Sequence, residues 1–539
     1  MSTAKHPSLA GHPRIARWIA RRIPRFRYDR LDALACDGAP PGVVERRRSG
    51  LGALEAEFAS RFAAGRALAA TGREVLSDLR FTSAYRVPMP FATIGEGPLR
   101  VGTFVAETRG VRIVDIDGNE SYEVSGSYGV NLFGHEFYKR CMADGAALVR
   151  DLGPVLGPYH PVVVSNARKL AAISGQDEVS FHMSGTEAVM QAVRLARYHT
   201  KRRRIVCFAG AYHGWWGDVA PGVGNPVAAR DTYVLREMDE RTLRVLRSRR
   251  DIACVLVNPI QALHPNRSAP TDSGLVGSRN LPAFDRTAYA QWLRALREVC
   301  DARGIALVFD EVFVGFRIAR GGAQEYFGVR ADLVTYGKTV GGGLPIGVVC
   351  GRAGLMRRFR DERPADVCLA RGTFNSHPYV MGAMHAFLEH LDRPQTHRSY
   401  EALDATWDHR ASRFNEAIAA AGFPLEIRHL ASIWSVAHLA PSRFNWMLQY
   451  YLRLHGIALS WIGTGRLIFS HDYTDDDVQA VTDRFLAACE QMREDGFWWH
   501  PAGETARGIG RGLLRDMARA RWRAQPSPIM PAGEVTPPS

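Results

Sequence analysis

Lys338 closes the stretch Asp332-Leu333-Val334-Thr335-Tyr336-Gly337-Lys338, which reads as a strand, and Thr339-Val340-Gly341-Gly342-Gly343 follows as a glycine-rich turn. A lysine at the C-terminal end of a buried strand loses hydration and can act as a neutral amine. The glycines beside it let a planar group approach the backbone. A neutral amine in a pocket is what Schiff-base chemistry needs. Upstream, Gly304-Ile305-Ala306-Leu307-Val308-Phe309 runs into the acidic pair Asp310-Glu311. A continuous apolar run of this kind fits a parallel sheet covered on both faces. A carboxylate at the mouth of such a strand stands where open α/β sheets bind ligands.

Two earlier segments add to this pair. Ser184-Gly185-Thr186-Glu187-Ala188 leads into the helical pattern Val189, Ala192, Val193, Ala196. A hydroxyl, glycine, hydroxyl start offers N–H groups and the positive dipole end to a phosphate. Ile205-Val206-Cys207-Phe208 is a short strand, and Gly210-Ala211-Tyr212-His213-Gly214 after it holds an aromatic ring between glycines. Each segment also has a plain structural reading: Ser184 as a helix cap, Asp310 as a structural carboxylate, Tyr212 as packing. Their order favours chemistry. Phosphate cup, aromatic platform, strand-end Asp and strand-end Lys make a pyridoxal-phosphate pocket.

The runs Met183–Gly214 and Phe309–Gly351 resemble class III pyridoxal-phosphate aminotransferases, a fold-type I group. Gly118-Asn119-Glu120, Ser127-Tyr128-Gly129 and Gly134-His135 resemble the N-terminal signature of the glutamate-1-semialdehyde aminomutase branch, and Arg371-Gly372-Thr373-Phe374-Asn375 its late phosphate-binding segment. Gly315-Phe316-Arg317-Ile318, Gly321-Gly322-Ala323-Gln324 and Pro345-Ile346-Gly347 are similar to aminotransferase domains of hybrid polyketide/nonribosomal-peptide synthases. The likeness spans roughly residues 95–490. It implies an α/β fold, with a mostly parallel seven-stranded sheet in a large domain and a smaller α+β domain. It implies that Lys338 carries pyridoxal 5'-phosphate as a Schiff base and shuttles a proton. Asp310 would pair with the pyridine nitrogen, Tyr212 would stack on the ring, and His213 and Phe313 would line it. Ser184, Gly185 and Thr186 would hold the phosphate. Thr373 would reach the phosphate of a neighbouring subunit in a homodimer, and the Ser127-Tyr128 segment would complete a pocket whose lysine lies in the partner. Ser127, Tyr128 and Asn258 are the candidate substrate contacts.

Two positions depart from the pattern. Val257-Asn258-Pro259 stands where the family usually has Val-Glu-Pro, and Phe313 stands where a smaller or polar side chain is usual. Both predict a less charged, more apolar pocket.

The chain has 539 residues, too many for one core, so two domains with extensions are expected. Its eight cysteines are scattered without a Cys-x-x-Cys pair, which predicts reduced thiols rather than disulfides or a metal site. No run is long and apolar enough to cross a bilayer, and no secretory apolar region opens the chain, so a cytoplasmic enzyme is expected. The formal charge of +14 sits largely at the ends. Residues 1–30 carry eight cations against Asp29 alone, and residues 501–539 carry six arginines against three carboxylates. A near-neutral body argues against a nucleic-acid groove.

Ile15, Trp18, Ile19 and Ile23 fall on one helical face with Arg14, Arg17, Arg21, Arg22 and Arg25 around them, and Pro24 ends the pattern. Leu513, Leu514 and Met517 with Arg511, Arg515 and Arg519 predict a second basic helix. Such helices suit an acyl carrier protein or an anionic membrane surface, with a peripheral association, or form a solvated arm. The expected organisation is a basic helical extension over 1–94, with an amphipathic stretch from Leu54 to Leu79. The small domain follows over 95–165 and 396–500, the cofactor domain over 166–395, and a basic helix and disordered tail over 501–539. The segment His264–Asp285 is expected as a long loop, a candidate lid. The leading functional reading is an aminotransferase placing an amino group from a small-molecule donor on a ketone or aldehyde of a hydrophobic or carrier-bound substrate. The alternatives are an aminomutase or decarboxylase on the same scaffold, and a non-catalytic docking subunit.

Overall fold

The long apolar runs pair into one sheet. A computed structural model describes residue 18 and residues 21–85, 87–208, 210–220, 224–227, 229–235, 239–260, 285–459 and 465–523. Numbered within the large sheet, the strands are β1 (Glu178–His182), β2 (Arg204–Phe208), β3 (Thr232–Leu235), β4 (Ile252–Val257), β5 (Ala306–Asp310), β6 (Leu333–Gly337) and β7 (Gly347–Gly351). Their order is β1-β7-β6-β5-β4-β2-β3. β7 is antiparallel to both its neighbours and the remaining pairs are parallel, so the sheet is the expected mostly parallel one. The exception has a simple cause: the link from β6 to β7 is too short for the crossover that a parallel neighbour needs. Every position of β4, β5 and β6 is buried. Alternate side chains feed two cores, Val206 and Phe208 on one face, Ile205 and Cys207 on the other. Each fully buried side chain contributes roughly 1.5–3 kcal/mol.

Helices of use below are α1 (Pro41–Arg61), α2 (Ala63–Val75), α3 (Ser77–Ala84), α4 (Gly185–Thr200), α5 (Pro378–Leu391) and α6 (Ala506–Arg523). The Leu54–Leu79 stretch is therefore not one helix. It breaks at Phe62 and Leu76, both off helical geometry. The first break has a visible reason. The Asp117 carboxylate accepts from the N–H of Ala64 at 2.6 Å and of Gly65 at 2.8 Å, so a new helix starts there.

Asp117 lies on the turn between Arg112–Asp115 and Glu120–Glu123. With Val105–Arg109 and Ile457–Ala458 these make a four-stranded sheet. Leu425–Leu430, Ile433–His438 and Arg466–Ile468 form a further three-stranded sheet. Behind it Trp407, Trp434 and Phe469 pack with ring centroids 4.7–6.0 Å apart.

Much of the Arg14–Arg27 helix lies outside the described residues. Within them, Arg21 and Arg22 form a turn and residues 23–29 carry no helix, which corrects the expectation for that part. Tyr28 instead donates to Asp516 of α6 at 2.6 Å, and Arg443 donates to both Tyr28 and Asp516. Arg47 of α1 is wholly buried. It pairs with both Asp37 oxygens and donates to the carbonyls of Leu34, Gly496 and Trp499. The second basic helix is α6, with Arg511, Arg515 and Leu514 exposed and Leu513 packed on the core. The expected loop at residues 264–284 and the tail Gln525–Ser539 lie outside the described residues. All eight cysteines are free thiols. Among the described residues no helix is long and apolar enough to cross a membrane, and no cluster of three metal-ligating side chains occurs.

Candidate active site

Four segments converge at the C-terminal edge of the parallel strands, and the glycines show how tightly. A Cβ on Gly337 would lie 3.2 Å from Val312 Cγ1 and 3.7 Å from Gly185 Cα. A Cβ on Gly185 would strike Val312 Cγ1 at 2.6 Å, and one on Gly214 would reach Thr186 Oγ1 at 2.5 Å. The ends of β5 and β6, the start of α4 and the Gly210–Gly214 loop are thus in mutual contact. Lys338 follows Gly337 with φ +50°, a left-handed conformation that a lysine keeps only where its surroundings hold it.

Ser184 caps α4: its Oγ accepts from Glu187 N at 3.3 Å, while Glu187 Oε2 accepts from Met183 N at 3.0 Å. The hydroxyl is spent on its own helix. The first N–H groups, those of Gly185 and Thr186, have no preceding turn to bond and sit at the positive dipole end. On the next strand, Asp310 is 3% exposed. His213 Nδ1 lies 2.7 Å from its Oδ2, and Thr335 Oγ1 and Val312 N donate to its Oδ1, each at 3.2 Å. Three donors thus orient the carboxylate. Tyr212 is 65% exposed beside them. Its carbonyl accepts from Asn258 Nδ2 at 3.1 Å, and Asn258 Oδ1 accepts from Ile260 N at 3.3 Å. Asn258 is buried, with both ends of its amide used on backbone. The structure therefore gives Asn258 a loop-holding role.

The Lys338 Nζ is 5.2 Å from the centroid of the half-buried Phe313 ring. Burial lowers its pKa below the usual lysine value; the Asp310 charge opposes that shift, and Arg317 and Arg466 add to it. A Cβ on Gly129 would lie 2.8 Å from Phe313 and 3.3 Å from Lys338 Cδ. The Ser127-Tyr128 segment was expected against a partner's lysine. Within one chain, Gly129 at the end of that segment also lies beside this chain's own Lys338, and Ser127 and Tyr128 adopt φ of +44° and +57°. Thr373 is exposed, and its hydroxyl makes no hydrogen bond among the described residues.

Three residues escaped the sequence reading. Arg317 is buried and donates to Ser432 Oγ and the carbonyls of Phe469, Asn131 and Gly129, tying the Gly129 loop to the three-stranded sheet. Burial pulls its pKa down to about 10, against the opposing influence of Tyr138, Tyr400 and Glu123. Glu123 is buried, and its Oε1 accepts from the N–H of Ser125 and of Ser127, steadying the same loop. Arg466 lies with its guanidinium 6.0 Å from the Phe313 ring; burial pulls it down to about 10, and its Nε has no hydrogen-bond partner. Among the described residues Arg466 has no carboxylate within ion-pair distance, so it adds a cation beside Phe313 that the sequence reading did not include. Arg317 was in a quoted motif but nothing in the spacing marked a role, and Glu123 and Arg466 stood in no motif.

The donor set suits a planar, phosphorylated carbonyl compound. It combines an enclosed amine, an oriented carboxylate, a helix start for a dianion, and walls thinned to glycine at 129, 185 and 214. Comparison with known proteins points the same way. A family model described as aminotransferase class-III matches residues 95–220 and 285–489. A glutamate-1-semialdehyde 2,1-aminomutase from Nitratidesulfovibrio vulgaris (strain DP4) is 33% identical over 396 residues, 70% of this chain and 90% of that protein. A transaminase solved with pyridoxal phosphate bound is 28% identical, with TM-score 0.63, over 84% of this chain and 98% of the other. An omega-transaminase from Sphaerobacter thermophilus is 26% identical, with TM-score 0.64, over 81% and 97%. The chain belongs to the class III aminotransferases, enzymes that work with pyridoxal phosphate.

Proposed function

We propose that the protein moves an amino group from an amino-acid donor to a ketone or aldehyde acceptor at Lys338. The observation that carries this reading is the enclosed Lys338 amine, 5.2 Å from the Phe313 ring centroid, discouraged from charging by burial and within the influence of the Asp310 charge. Pyridoxal phosphate, when bound, supplies an electron-accepting ring that stabilises negative charge on the carbon bearing nitrogen. Lys338 anchors it and moves a proton at that carbon through Nζ. Asp310, braced by His213, sets a negative charge where the ring nitrogen is served. Gly185 and Thr186 offer backbone N–H groups to the phosphate, and the exposed Tyr212 covers the ring. Arg466 takes a carboxylate of the donor, since an unpaired guanidinium in an enclosed site binds an oxyanion strongly. The exposed Thr373 serves the phosphate of a second subunit, so the working unit is a homodimer.

The 33% identity to an aminomutase favours a second reading, in which the nitrogen returns to the same molecule. Turnover with a ¹⁵N-labelled donor and an unlabelled acceptor separates the two. Label in the acceptor product supports transfer between molecules; label confined to the rearranged donor overturns it in favour of the mutase. The finer form of the first reading places the acceptor on an acyl carrier protein or an anionic membrane, drawn to Arg507, Arg511 and Arg515 on the exposed face of α6. Salt should then raise KM for a carrier-bound acceptor and leave a small one unchanged. Equal salt dependence for both would refute the recruitment.

A further inference from the structure

Residues before 95 lie outside the regions matched to the family, yet they build part of a cavity that reaches the active-site loop. α2 and α3 fold back on each other, with Arg80 donating to the carbonyls of Arg73 and Glu74. The Asp117 cap fastens this hairpin to the four-stranded sheet. Between α3 and that sheet runs a cleft of about 400 Å³. That size is within the range of small-molecule sites.

Its walls are chiefly apolar. Leu79 and Val87 come from the extension, and Leu99, Ile113 and Leu459 come from the body. The inner end is formed by Ser127 and Tyr128, the residues that precede Gly129, whose backbone touches Phe313 and the Lys338 side chain. The cleft and the reacting amine therefore share one loop. Arg100, half-buried, also lines the cleft. Arg73 is close enough for its charge to be felt, and its Nη1 is buried without a hydrogen-bond partner. Among the described residues neither guanidinium has a carboxylate within ion-pair distance. A guanidinium lining an apolar cleft without an anion is unfavourable by itself, and an oxyanion beside it relieves it.

We propose that this cleft is a second substrate chamber, taking an extended apolar chain that ends in an oxyanion held by Arg100. The inference rests on the reading of Lys338 as the reacting amine, because that reading makes the chain part of the acceptor. It assigns the N-terminal extension a share in specificity.

Calorimetric titration of decanoate into the holoenzyme tests the chamber apart from any turnover. Decanoate should bind, and decanamide should bind about tenfold more weakly, the scale of one lost charge-assisted contact. Decyl phosphate run alongside tells a carboxylate terminus from a phosphate one by the tighter binding. Arg100→Glu should weaken decanoate more than tenfold and change decanamide little. Leu79→Trp should fill the cleft and weaken both. Thr82→Trp does the same from the half-exposed side of α3, should Leu79→Trp fail to fold. No binding to the wild type, or equal binding to all variants, would overturn the chamber. In turnover, the same variants should lower kcat/KM for a ten-carbon oxo acid about tenfold relative to pyruvate. Binding that responds to the variants, with no amino transfer to any oxo compound, would keep the chamber and sink the transfer reading instead.

Discussion

The strand-end site and the N-terminal hairpin lie on two sides of the Ser127–Gly129 loop, and they are built of opposite materials. At the strand ends the backbone segments touch, side chains are pared to glycine, and Asp310 is buried and bonded to His213, Thr335 and Val312. In the hairpin, ordinary leucines and valines leave a gap, and one half-buried carboxylate on Asp117 supplies the attachment. The first arrangement tolerates almost no change because every atom has a neighbour. The second is adjustable, and it lies outside the regions matched to the family. The difference suggests a division of labour: the rim performs the chemistry, while the extension selects what reaches it.

The comparison breaks most sharply at Lys338. Lys338→Ala should lower turnover at least about a thousandfold, since proton transfer by a positioned base contributes up to that scale. The purified variant should also lose the visible absorbance that borohydride bleaches in the wild type, while its circular dichroism stays the same. Normal turnover would end the assignment. Asp310→Asn keeps the shape but removes the charge that meets His213. A loss of roughly a hundredfold in kcat is expected, typical of one preorganised electrostatic contact, and unchanged kcat would show that Asp310 is only structural.

Glu311 sharpens the comparison through pH. Burial pushes its carboxyl up to about 8, from an ordinary 4.5. Between those values the folded protein holds a proton that the unfolded chain has released, so this group's contribution to stability falls as pH rises from 4.5 to 8. Glu311→Gln should abolish that fall, so that its stability relative to wild type climbs by about 1 kcal/mol or more across the window. Urea unfolding at several pH values reads it, and a constant difference would remove Glu311 from the argument. The smallest effect belongs to the extension. Asp117→Ala deletes one cap and should cost about 1 kcal/mol, seen as a modest drop in Tm with kcat for pyruvate retained. A loss of kcat as large as that of Asp310→Asn would mean that the hairpin and the rim are not separable.

Legibility followed the same divide. Lys338, Asp310, Gly185 and Tyr212 could be read because chemistry demanded those types at strand ends and a helix start, and the apolar runs of β4 to β6 announced buried parallel strands. Asn258 was legible only in part. An unusual residue in a familiar motif drew a substrate role, and nothing in the sequence showed that its amide also holds the backbone at Tyr212 and Ile260. Arg317 and Arg466 were invisible for a physical reason: arginine is usually a surface residue, and its burial depends on elements far apart in the chain. The cleft was invisible too, because Leu79 and Val87 are unremarkable until α3 is laid beside the small sheet. The break at Phe62 was missed since its cause, Asp117, lies more than fifty residues on.

One joint remains, that of Tyr28, Arg443 and Asp516. It ties the first stretch of the described chain to the last helix, while Arg47 ties α1 to the carbonyls of Gly496 and Trp499. In mechanical terms the two ends close a loop around the body, and a pull on either is borne by the same few side chains. Cutting the chain between Tyr28 and α1 should therefore speed amide exchange in α6, although no peptide bond there is touched; unaltered exchange would show that each end is anchored on its own.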